Sequence, residues 1–363
     1  MSLKRFLIAA VLALAIGAVA AGCGSDNNSS SGSSSGGGGT IALLLPESKT
    51  ARYETQDKPQ FEKKVKELCS DCKVIYSNAD QDAAKQQQQA EAALTQGAKV
   101  MVLDPVDAAS AASIVKQANA KNVPVISYDR LVSNADVNYY ISYDNEKVGK
   151  LQATSLKDKM GNKGTIVMIN GAPTDNNAKL FKKGAHSVFD SSNIKIGKEY
   201  DTPDWSPDKA QSEMQQAITA LGDNGFQGVY AANDGTAGGA IAAMKSAGIK
   251  PNDRPTTGQD AELAAIQRIL AGEQYMTIYK AIVPEAGAAA QIAVALVKGE
   301  TPDKSLVTGT TNNGTKDVDS VIFDPVVVTK DNVNDTIVKD GYWTAAQICT
   351  SAYAADCKAA GIQ

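Results

Sequence analysis

The sequence contains a single histidine, His186, among 363 residues, and it carries no excess of basic residues. One imidazole cannot supply a zinc site built on several histidines, and it argues against Ser-His or Cys-His catalysis. We interpret His186 as a surface or packing residue. Lys and Arg together number 36 against 40 Asp and Glu, which gives a formal charge of −4. Because nucleic-acid-binding domains need a basic face, nucleic acid is not an expected partner.

Signatures of bound cofactors are also missing. The chain has no phosphate-binding loop of the G-x-x-x-x-G-K-[ST] type and no calcium loop of the D-x-[DN]-x-[DN]-G type. We therefore expect no cofactor, no metal ion and no enzymatic activity. Hydrophobic residues make up 43% of the chain, which is enough for ordinary globular cores. The length is sufficient for two domains.

The N-terminus has the order of a secretory signal peptide. Lys4 and Arg5 precede an apolar run at 6–21, and small residues lead to Cys23. The run is short for a permanent membrane span. A cysteine at this place resembles a bacterial lipoprotein signal, which implies removal of residues 1–22, lipidation of Cys23 and an extracytoplasmic protein anchored to the membrane by lipid. A plain signal peptide with an unmodified Cys23 is the alternative.

A serine- and glycine-rich segment follows at 23–39. It has no run of apolar side chains to bury, so we predict a flexible tether. Its four consecutive glycines come before the first predicted strand, and no Gly-Lys-Ser/Thr follows them. They are therefore not interpreted as a phosphate loop.

Four further cysteines lie in two close pairs, and an exported location permits disulfides. Cys69 and Cys72 follow a helical pattern at 57–68. A redox pair needs its thiol at a helix N-terminus, where the dipole lowers the thiolate pKa, so this pair at a C-terminus favours a structural bridge. We predict bonds between Cys69 and Cys72 and between Cys349 and Cys357.

Strand and helix patterns alternate from residue 40 onward. A first series of strands is predicted at 40–45, 73–79, 100–105 and 123–128, and a second series at 165–173, 194–200, 228–234, 256–260 and 274–280. Helical patterns include 57–68, 82–95, 108–119 and 284–298. Such alternation implies parallel strands with helices on both faces. We predict an α/β fold of two doubly wound parallel-sheet lobes.

The fourth strand runs directly into Asp129 and Arg130. Ligands of open α/β sheets bind at the carboxyl ends of the strands. An aspartate offers acceptors and an arginine offers a rigid fork of donors, which together suit a small neutral molecule with adjacent hydroxyls. A surface ion pair in a loop is the alternative interpretation of these two residues alone.

Other strands also end in polar or aromatic residues. Taken singly, such residues are usually caps and turns, but together they predict a polar cleft with aromatic walls. The residues concerned are Arg52, Tyr53, Asn177, Trp205, Asn233, Asp260 and Lys280. A monosaccharide fits this set, because its apolar face can stack on Trp205 or Tyr53 while its hydroxyls meet the charged and amide groups.

Five collinear segments carry a resemblance to a known family. They are ISYDNEKVGKLQA, APTDNNAKLF, ANDGTAGGAI, TGQDAEL and MTIYK. From residue 40 to about 342 the chain resembles the periplasmic sugar-binding proteins of ABC importers, most closely the D-xylose binders. The resemblance implies sugar contacts from Arg52, Asp129, Arg130, Asn177, Trp205, Asn233, Asp260 and Lys280. Tyr53 stands where the xylose binders carry tryptophan, which makes one stacking wall smaller.

The same resemblance implies a type I periplasmic binding protein with two lobes joined by a hinge. We expect a first lobe of residues 40–142 and about 281–312, a second lobe of 143–280 and about 313–345, and a tail at 346–363. The implied partners are a monosaccharide and the permease subunits of an ABC importer, and the expected state is a monomer.

Two other functions remain open from the sequence. The same binding module could take another pentose or a hexose and report on it to a membrane receptor instead of feeding a permease. A sugar-modifying enzyme is the alternative from another class, with Asp260 and Lys280 as an acid–base pair, although the usual catalytic signatures are missing.

Overall fold

The computed structural model describes residues 38–362. The strands are β1 Thr40–Leu45, β2 Lys73–Asn78, β3 Ala98–Leu103, β4 Val125–Tyr128, β5 Tyr139–Tyr143, β6 Gly164–Asn170, β7 Ile194–Asp201, β8 Gly228–Ala231, β9 Met276–Tyr279, β10 Gly309–Asn312, β11 Asp317–Phe323 and β12 Val326–Thr329. The helices are α1 Lys58–Leu68, α2 Ala83–Thr95, α3 Ala112–Ala120, α4 Asn145–Lys159, α5 Asn176–Phe189, α6 Pro207–Leu221, α7 Asp234–Ser246, α8 Leu263–Leu270, α9 Ile282–Val297, α10 Ala345–Ile348 and α11 Ala354–Ala359.

The first sheet has seven strands in the order β10-β11-β5-β4-β3-β1-β2. Its strands are parallel except for β10, which runs antiparallel to β11. Strand β1 lies inside the sheet and is apolar along nearly its whole length, as strands covered on both faces are. Ile41, Leu43 and Leu45 enter one core, and Ala42 and Leu44 enter the core on the opposite face. The sheet is therefore the middle layer between two sets of helices.

The second sheet is built from β7, β6 and β8, all parallel. Alternate residues of β6 again point to two different cores, with Ile166 and Met168 in one and Val167 and Ile169 in the other. Next in the chain, β9 pairs antiparallel with β12. The predicted α/β fold class is confirmed, since the second sheet is parallel, the first is parallel except for β10, and both are covered by helices on two faces.

Two elements differ from the sequence predictions. Residues 256–260, predicted as a strand, make isolated bridges from Thr256 to Val229 and from Gln259 to Ile278. The extended conformation ends at Asp260, whose φ is 92°. Strand β11 pairs with β5 in the first sheet, although the sequence assigned residues beyond about 312 to the second lobe. The assignment of this strand is corrected; the other lobe bounds stay a prediction.

The structure contains both predicted disulfides. Cys69 follows the last residue of α1 and is bonded to Cys72, with 5.3 Å between the Cα atoms. Cys349 is bonded to Cys357, which joins α10 to α11. His186 lies on α5 between Asp190 and Glu199, at 3.1 Å from each carboxylate, and is partly exposed, as expected of a surface residue.

Candidate lipidation at Cys23, the signal peptide and most of the tether lie outside the described residues. Within residues 38–362, none of the helices combines the length and the apolar character that a membrane span requires.

Candidate functional site

All nine residues predicted to contact a sugar line one cavity. The complete lining is Thr50, Arg52, Tyr53, Asp129, Arg130, Asp175, Asn177, Phe181, Trp205, Asn233, Gln259, Asp260 and Lys280. The structure thus brings together residues spread over more than half of the sequence. Thr50, Asp175, Phe181 and Gln259 were not predicted, although Asp175 and Phe181 lie in the quoted segment APTDNNAKLF and Gln259 in TGQDAEL.

Most of the predicted residues stand where a strand ends or a helix begins. Asp129 and Arg130 follow β4, Asn233 follows β8 and Lys280 follows β9, while Asn177 lies in the first turn of α5. This is the edge at which parallel α/β sheets bind their ligands, because side chains beyond the carboxyl ends of neighbouring strands converge there.

Opposite charges alternate at the centre of the cavity. Arg52 Nη2 lies 3.7 Å from Asp129 Oδ2, and Arg52 Nη1 lies 3.6 Å from Asp260 Oδ1. Lys280 Nζ completes the ring, at 3.2 Å from Asp129 Oδ1 and 3.8 Å from Asp260 Oδ1. All four residues are buried, with at most 4% of their surface exposed. A ligand here meets two acceptors and two donors whose charges balance one another.

Burial and the neighbouring charges act on these groups in opposite directions. Burial raises the pKa of Asp129, but Arg52 and Lys280 outweigh it and hold the pKa well below its ordinary value. Burial lowers the pKa of Lys280, and the Asp129 carboxylate raises it above its ordinary value. Both side chains are therefore charged at neutral pH, so that hydrogen bonds from them to a hydroxyl are charge-assisted and about twice as strong as neutral ones.

Tyr53 connects the two residues at the end of β4. Its hydroxyl donates to Asp129 Oδ2 at 3.1 Å and accepts from Arg130 Nη2 at 3.2 Å. Arg130 is held from behind by Asp175, at 3.0 Å, and by Asp104, at 3.5 Å. Asp129 and Arg130 therefore belong to a buried network and are not the surface ion pair that the sequence left as an alternative.

Two amide side chains complete the polar lining. Asn177 Nδ2 donates to the Asp129 backbone oxygen at 3.0 Å, while its Oδ1 accepts from Asn145 at 2.9 Å. Asn233 caps α7, and its Oδ1 accepts from the backbone N–H of Thr236 at 2.9 Å. Its oxygen is thus engaged, which leaves the donor end of this amide for a ligand hydroxyl.

Trp205 forms an aromatic wall whose position is fixed by its neighbours. Its Nε1 donates to Asp175 Oδ2 at 3.0 Å, and its ring meets Phe181 edge-on with 6.3 Å between the ring centres. Gly171 lies directly behind it. A Cβ atom on Gly171 would come within 2.0 Å of Trp205 Cη2. The absence of a side chain at 171 is what leaves room for the indole in this position.

Three of the lining residues have a left-handed backbone, which is uncommon outside glycine. The φ angles are 54° at Asp129, 53° at Trp205 and 92° at Asp260. Each such residue costs on the order of 1–3 kcal/mol and persists only where the surroundings fix it. At Asp129 they do, because its carbonyl accepts from Ser142 Oγ at 2.6 Å and from Asn177. Strain of this kind concentrates at binding sites.

A layer of buried carboxyl groups lies behind the cavity and was missed by the sequence analysis. Glu285, in the first turn of α9, lies 3.4 Å from Arg52 Nη2, and Asp104 follows β3. Burial raises the pKa of both carboxyls well above their ordinary values. Asp104 could have been found as a residue at a strand end, but nothing in the sequence around Glu285 marks it.

Metal binding has no support in the part of the chain that the structure describes. Between residues 38 and 362, no group of three or more His, Cys, Asp or Glu side chains has a geometry that could hold a metal ion. The carboxylates of the cavity are instead paired with Arg52, Arg130 and Lys280.

The chain matches the family model described as periplasmic binding protein domain over residues 41–301. It is 38% identical to the D-xylose-binding periplasmic protein of Escherichia coli over 312 residues, which cover 85% of this chain and 92% of that protein. It is 35% identical to the multiple sugar-binding periplasmic receptor ChvE of Rhizobium radiobacter, with coverage of 74% and 81%. A carbohydrate transporter solute binding protein from Chloroflexus aurantiacus, solved with D-glucose, superposes with a TM-score of 0.77 at 30% identity, covering 85% of this chain and 97% of that one.

Proposed function

Since this chain belongs to the periplasmic binding protein family and has its type I fold, we propose that it captures a monosaccharide for an ABC importer and that this sugar is D-xylose. The observation that carries the proposal is the buried, charge-balanced ring of Arg52, Asp129, Asp260 and Lys280 beside the Trp205 wall. The E. coli relative, which is named for D-xylose, supports the choice of sugar.

The balance of charges favours a neutral ligand. Arg52, Arg130 and Lys280 each already have a carboxylate within 3.2 Å. A carboxylate on the ligand would lie among buried acidic groups without a free cation, and an unpaired buried charge is costly. A neutral sugar can instead place each hydroxyl between a donor and an acceptor.

Binding to these buried residues requires a motion. The lining residues Arg52, Asp129, Asp260 and Lys280 are almost fully buried, so a sugar reaches them only if the two groups of strands separate. We propose that the two lobes expected from the sequence open and close about a hinge, as periplasmic binding proteins do. We propose that the protein works as a monomer, as expected from the sequence.

A receptor role is the second candidate, because the Rhizobium radiobacter relative is itself named a receptor. In that case the closed form would signal to a membrane protein instead of delivering the sugar. A sugar-modifying enzyme has less support. Because the pKa of Lys280 is raised by Asp129 after burial has lowered it, the amine stays protonated and is a poor base.

Calorimetric titration tests the proposed function. We expect D-xylose to bind with a dissociation constant of about 1 μM or less, which corresponds to a binding free energy of about −8 kcal/mol. This is well within the maximum binding free energy that a ligand of its size can reach. D-glucose and D-galactose should bind more weakly, and the acid xylonate should not bind. If glucose binds more tightly than xylose, the choice of sugar is wrong. If none of the neutral monosaccharides binds, the sugar-binding function is wrong.

A further inference from the structure

The segment after β12 packs against the turn that carries Asp260. Tyr342 and Trp343 are buried, with 6% and 8% of their surface exposed, in the same core as Phe61 of α1 and Ile266 of α8. Neither residue lines the cavity. Both lie beyond residues 41–301, the part of the chain that the family model matches.

Both side chains hold consecutive carbonyl groups of that turn. Tyr342 Oη donates to the backbone oxygen of Asp260 at 3.2 Å, and Trp343 Nε1 donates to that of Ala261 at 2.8 Å. Asp260 and Ala261 both have positive φ, at 92° and 50°. Two adjacent non-glycine residues in this conformation need surroundings that fix them.

The backbone N–H groups of the same turn are fixed by β9. The N–H of Asp260 donates to the Ile278 oxygen at 2.9 Å, and that of Ala261 donates to Thr277 Oγ1 at 3.2 Å. The turn is thus held by β9 on its donor side and by Tyr342 and Trp343 on its acceptor side. Its conformation aims the Asp260 carboxylate at Arg52 and Lys280.

The segment also reaches the loop that carries Arg52. Gln56 Nε2 donates to the Tyr342 backbone oxygen at 3.2 Å. A T-shaped contact joins Tyr342 to Tyr279, the residue before Lys280, with 5.0 Å between the ring centres. Tyr342 therefore contacts one member of the charged ring, Asp260, and chain neighbours of two others.

We propose that Tyr342 and Trp343 are positioning residues for ligand binding, which act by fixing the strained Asp260–Ala261 turn. The proposal rests on the proposed sugar-binding function. A phenylalanine in place of either residue keeps an aromatic ring in the core but removes the donor. The turn can then relax toward a more common backbone conformation, which moves the Asp260 carboxylate away from the ligand.

A double-mutant cycle measured by calorimetry with the sugar that the parent binds tests this proposal. We expect Y342F and W343F each to weaken binding about three- to tenfold, as the loss of one neutral hydrogen bond does. In a D260N background the same changes should alter affinity less than about twofold, because the carboxylate that they position is gone. Y139F is the matched control, since Tyr139 also packs against this core; its affinity should equal that of the parent.

The outcomes separate the two proposals. Variants that bind as tightly as the parent overturn the positioning role and leave the sugar-binding function intact. Losses of the same size in the parent and in the D260N background also overturn it, because a general loss of core packing would simply add to the effect of D260N. A parent that binds none of the sugars overturns the sugar-binding function, and the positioning role with it.

Discussion

Arg52 Nη1 lies 3.6 Å from Asp260 Oδ1, which ties the loop after β1 to the turn before α8. The guanidinium also has Asp57 at 2.7 Å, Glu285 at 3.4 Å and Asp129 at 3.7 Å, so one buried cation pairs with acidic groups from four parts of the chain. Burial lowers the pKa of Arg52, and the neighbouring carboxylates, Asp129 first among them, raise it well above its ordinary value. The site is therefore assembled around fixed charges whose removal should affect binding and folding together.

Replacing Asp129 by asparagine should weaken sugar binding by about one to two orders of magnitude. The change keeps the shape of the side chain but removes the charge that faces Arg52 and Lys280, and a hydrogen bond to a charged group is worth about 1.5–3 kcal/mol. The melting temperature should also fall, because Lys280 loses its partner at 3.2 Å. Calorimetric titration and thermal melts measure the two effects. D136N, a change in an exposed ion pair with Lys316, is the control and should alter neither.

Replacing Gly171 by alanine should weaken binding of every sugar. The added Cβ would come within 2.0 Å of Trp205, so the indole must move into the space of the ligand. Overpacking of this kind costs about 1–3 kcal/mol of folding stability, and affinity falls by up to about 150-fold if the whole cost acts on the bound state. In G287A the Cβ meets nothing within 4 Å in α9, and this control should bind as the parent does. Equal affinity in G171A would show that the wall is not fixed from behind.

Stability should decrease as the pH rises from about 4, the ordinary range of a carboxyl, to about 8. Burial raises the pKa of Asp234 to about 7, and burial, with Asp234 nearby, raises that of Glu262 to about 8. In this range the folded protein binds more protons than the unfolded chain, so the free energy of unfolding falls with pH. Asp129 has the opposite effect, because its pKa is lowered. Its contribution to the free energy of unfolding rises with pH, but only below the ordinary pKa range of a carboxyl.

Thermal melts of the sugar-free protein over this range provide the measurement. E262Q should reduce the slope of the melting temperature against pH, since its amide does not titrate, while E67Q changes an exposed residue and should leave the slope unchanged. A parent whose melting temperature rises from about pH 5 to about pH 8 would contradict the prediction.

Loss of the Cys69–Cys72 bridge should cost less than the about 2–5 kcal/mol typical of native bridges in small secreted domains. The two cysteines are separated by three positions, so the bond closes a short loop and removes little chain entropy. We expect the double alanine variant to melt only slightly below the parent. Peptide mapping without reductant should recover Cys69 with Cys72 and Cys349 with Cys357, and a free thiol or a cross-pair would contradict the assignment.

Replacing Cys23 by alanine should release the protein from the membrane fraction. The prediction follows from the apolar run at 6–21 and the small residues before Cys23. Fractionation followed by mass spectrometry of the mature N-terminus would measure it. A variant of mature size that still carries lipid would show that the anchor lies elsewhere.

The sequence was sufficient to find most of the residues that line the cavity. The end of a strand is visible in the sequence as a change from apolar to polar residues, and the family segments identified the other site residues. All nine predicted contacts lie in one cavity. Asp129 and Lys280 show what the sequence could not predict. They lie 151 positions apart, and no local pattern indicates that they form an ion pair.

What the sequence could not supply is the depth of the site. The sequence left open a surface ion pair at Asp129 and Arg130, whereas Asp129 is only 3% exposed and lies in a network with Tyr53 and Asn177. Glu285 was missed because its role depends on the approach of α9 to Arg52 in three dimensions. The residues of β11 were assigned to the second lobe for the same reason, since their pairing with β5 is set by the path of the chain and not by their own sequence.

That path has a consequence for the order of folding. Strand β5 ends at Tyr143, and its outer edge is covered by β11, whose residues begin only at Asp317. Until then the growing chain presents an open strand edge, which cannot be covered by any neighbour in sequence. The first sheet therefore cannot be completed before Asp317–Phe323 is available, whereas the three strands of the second sheet all precede Ala232. For a polypeptide that must cross a membrane before it folds, this arrangement delays the completion of its core until nearly the whole chain has passed through.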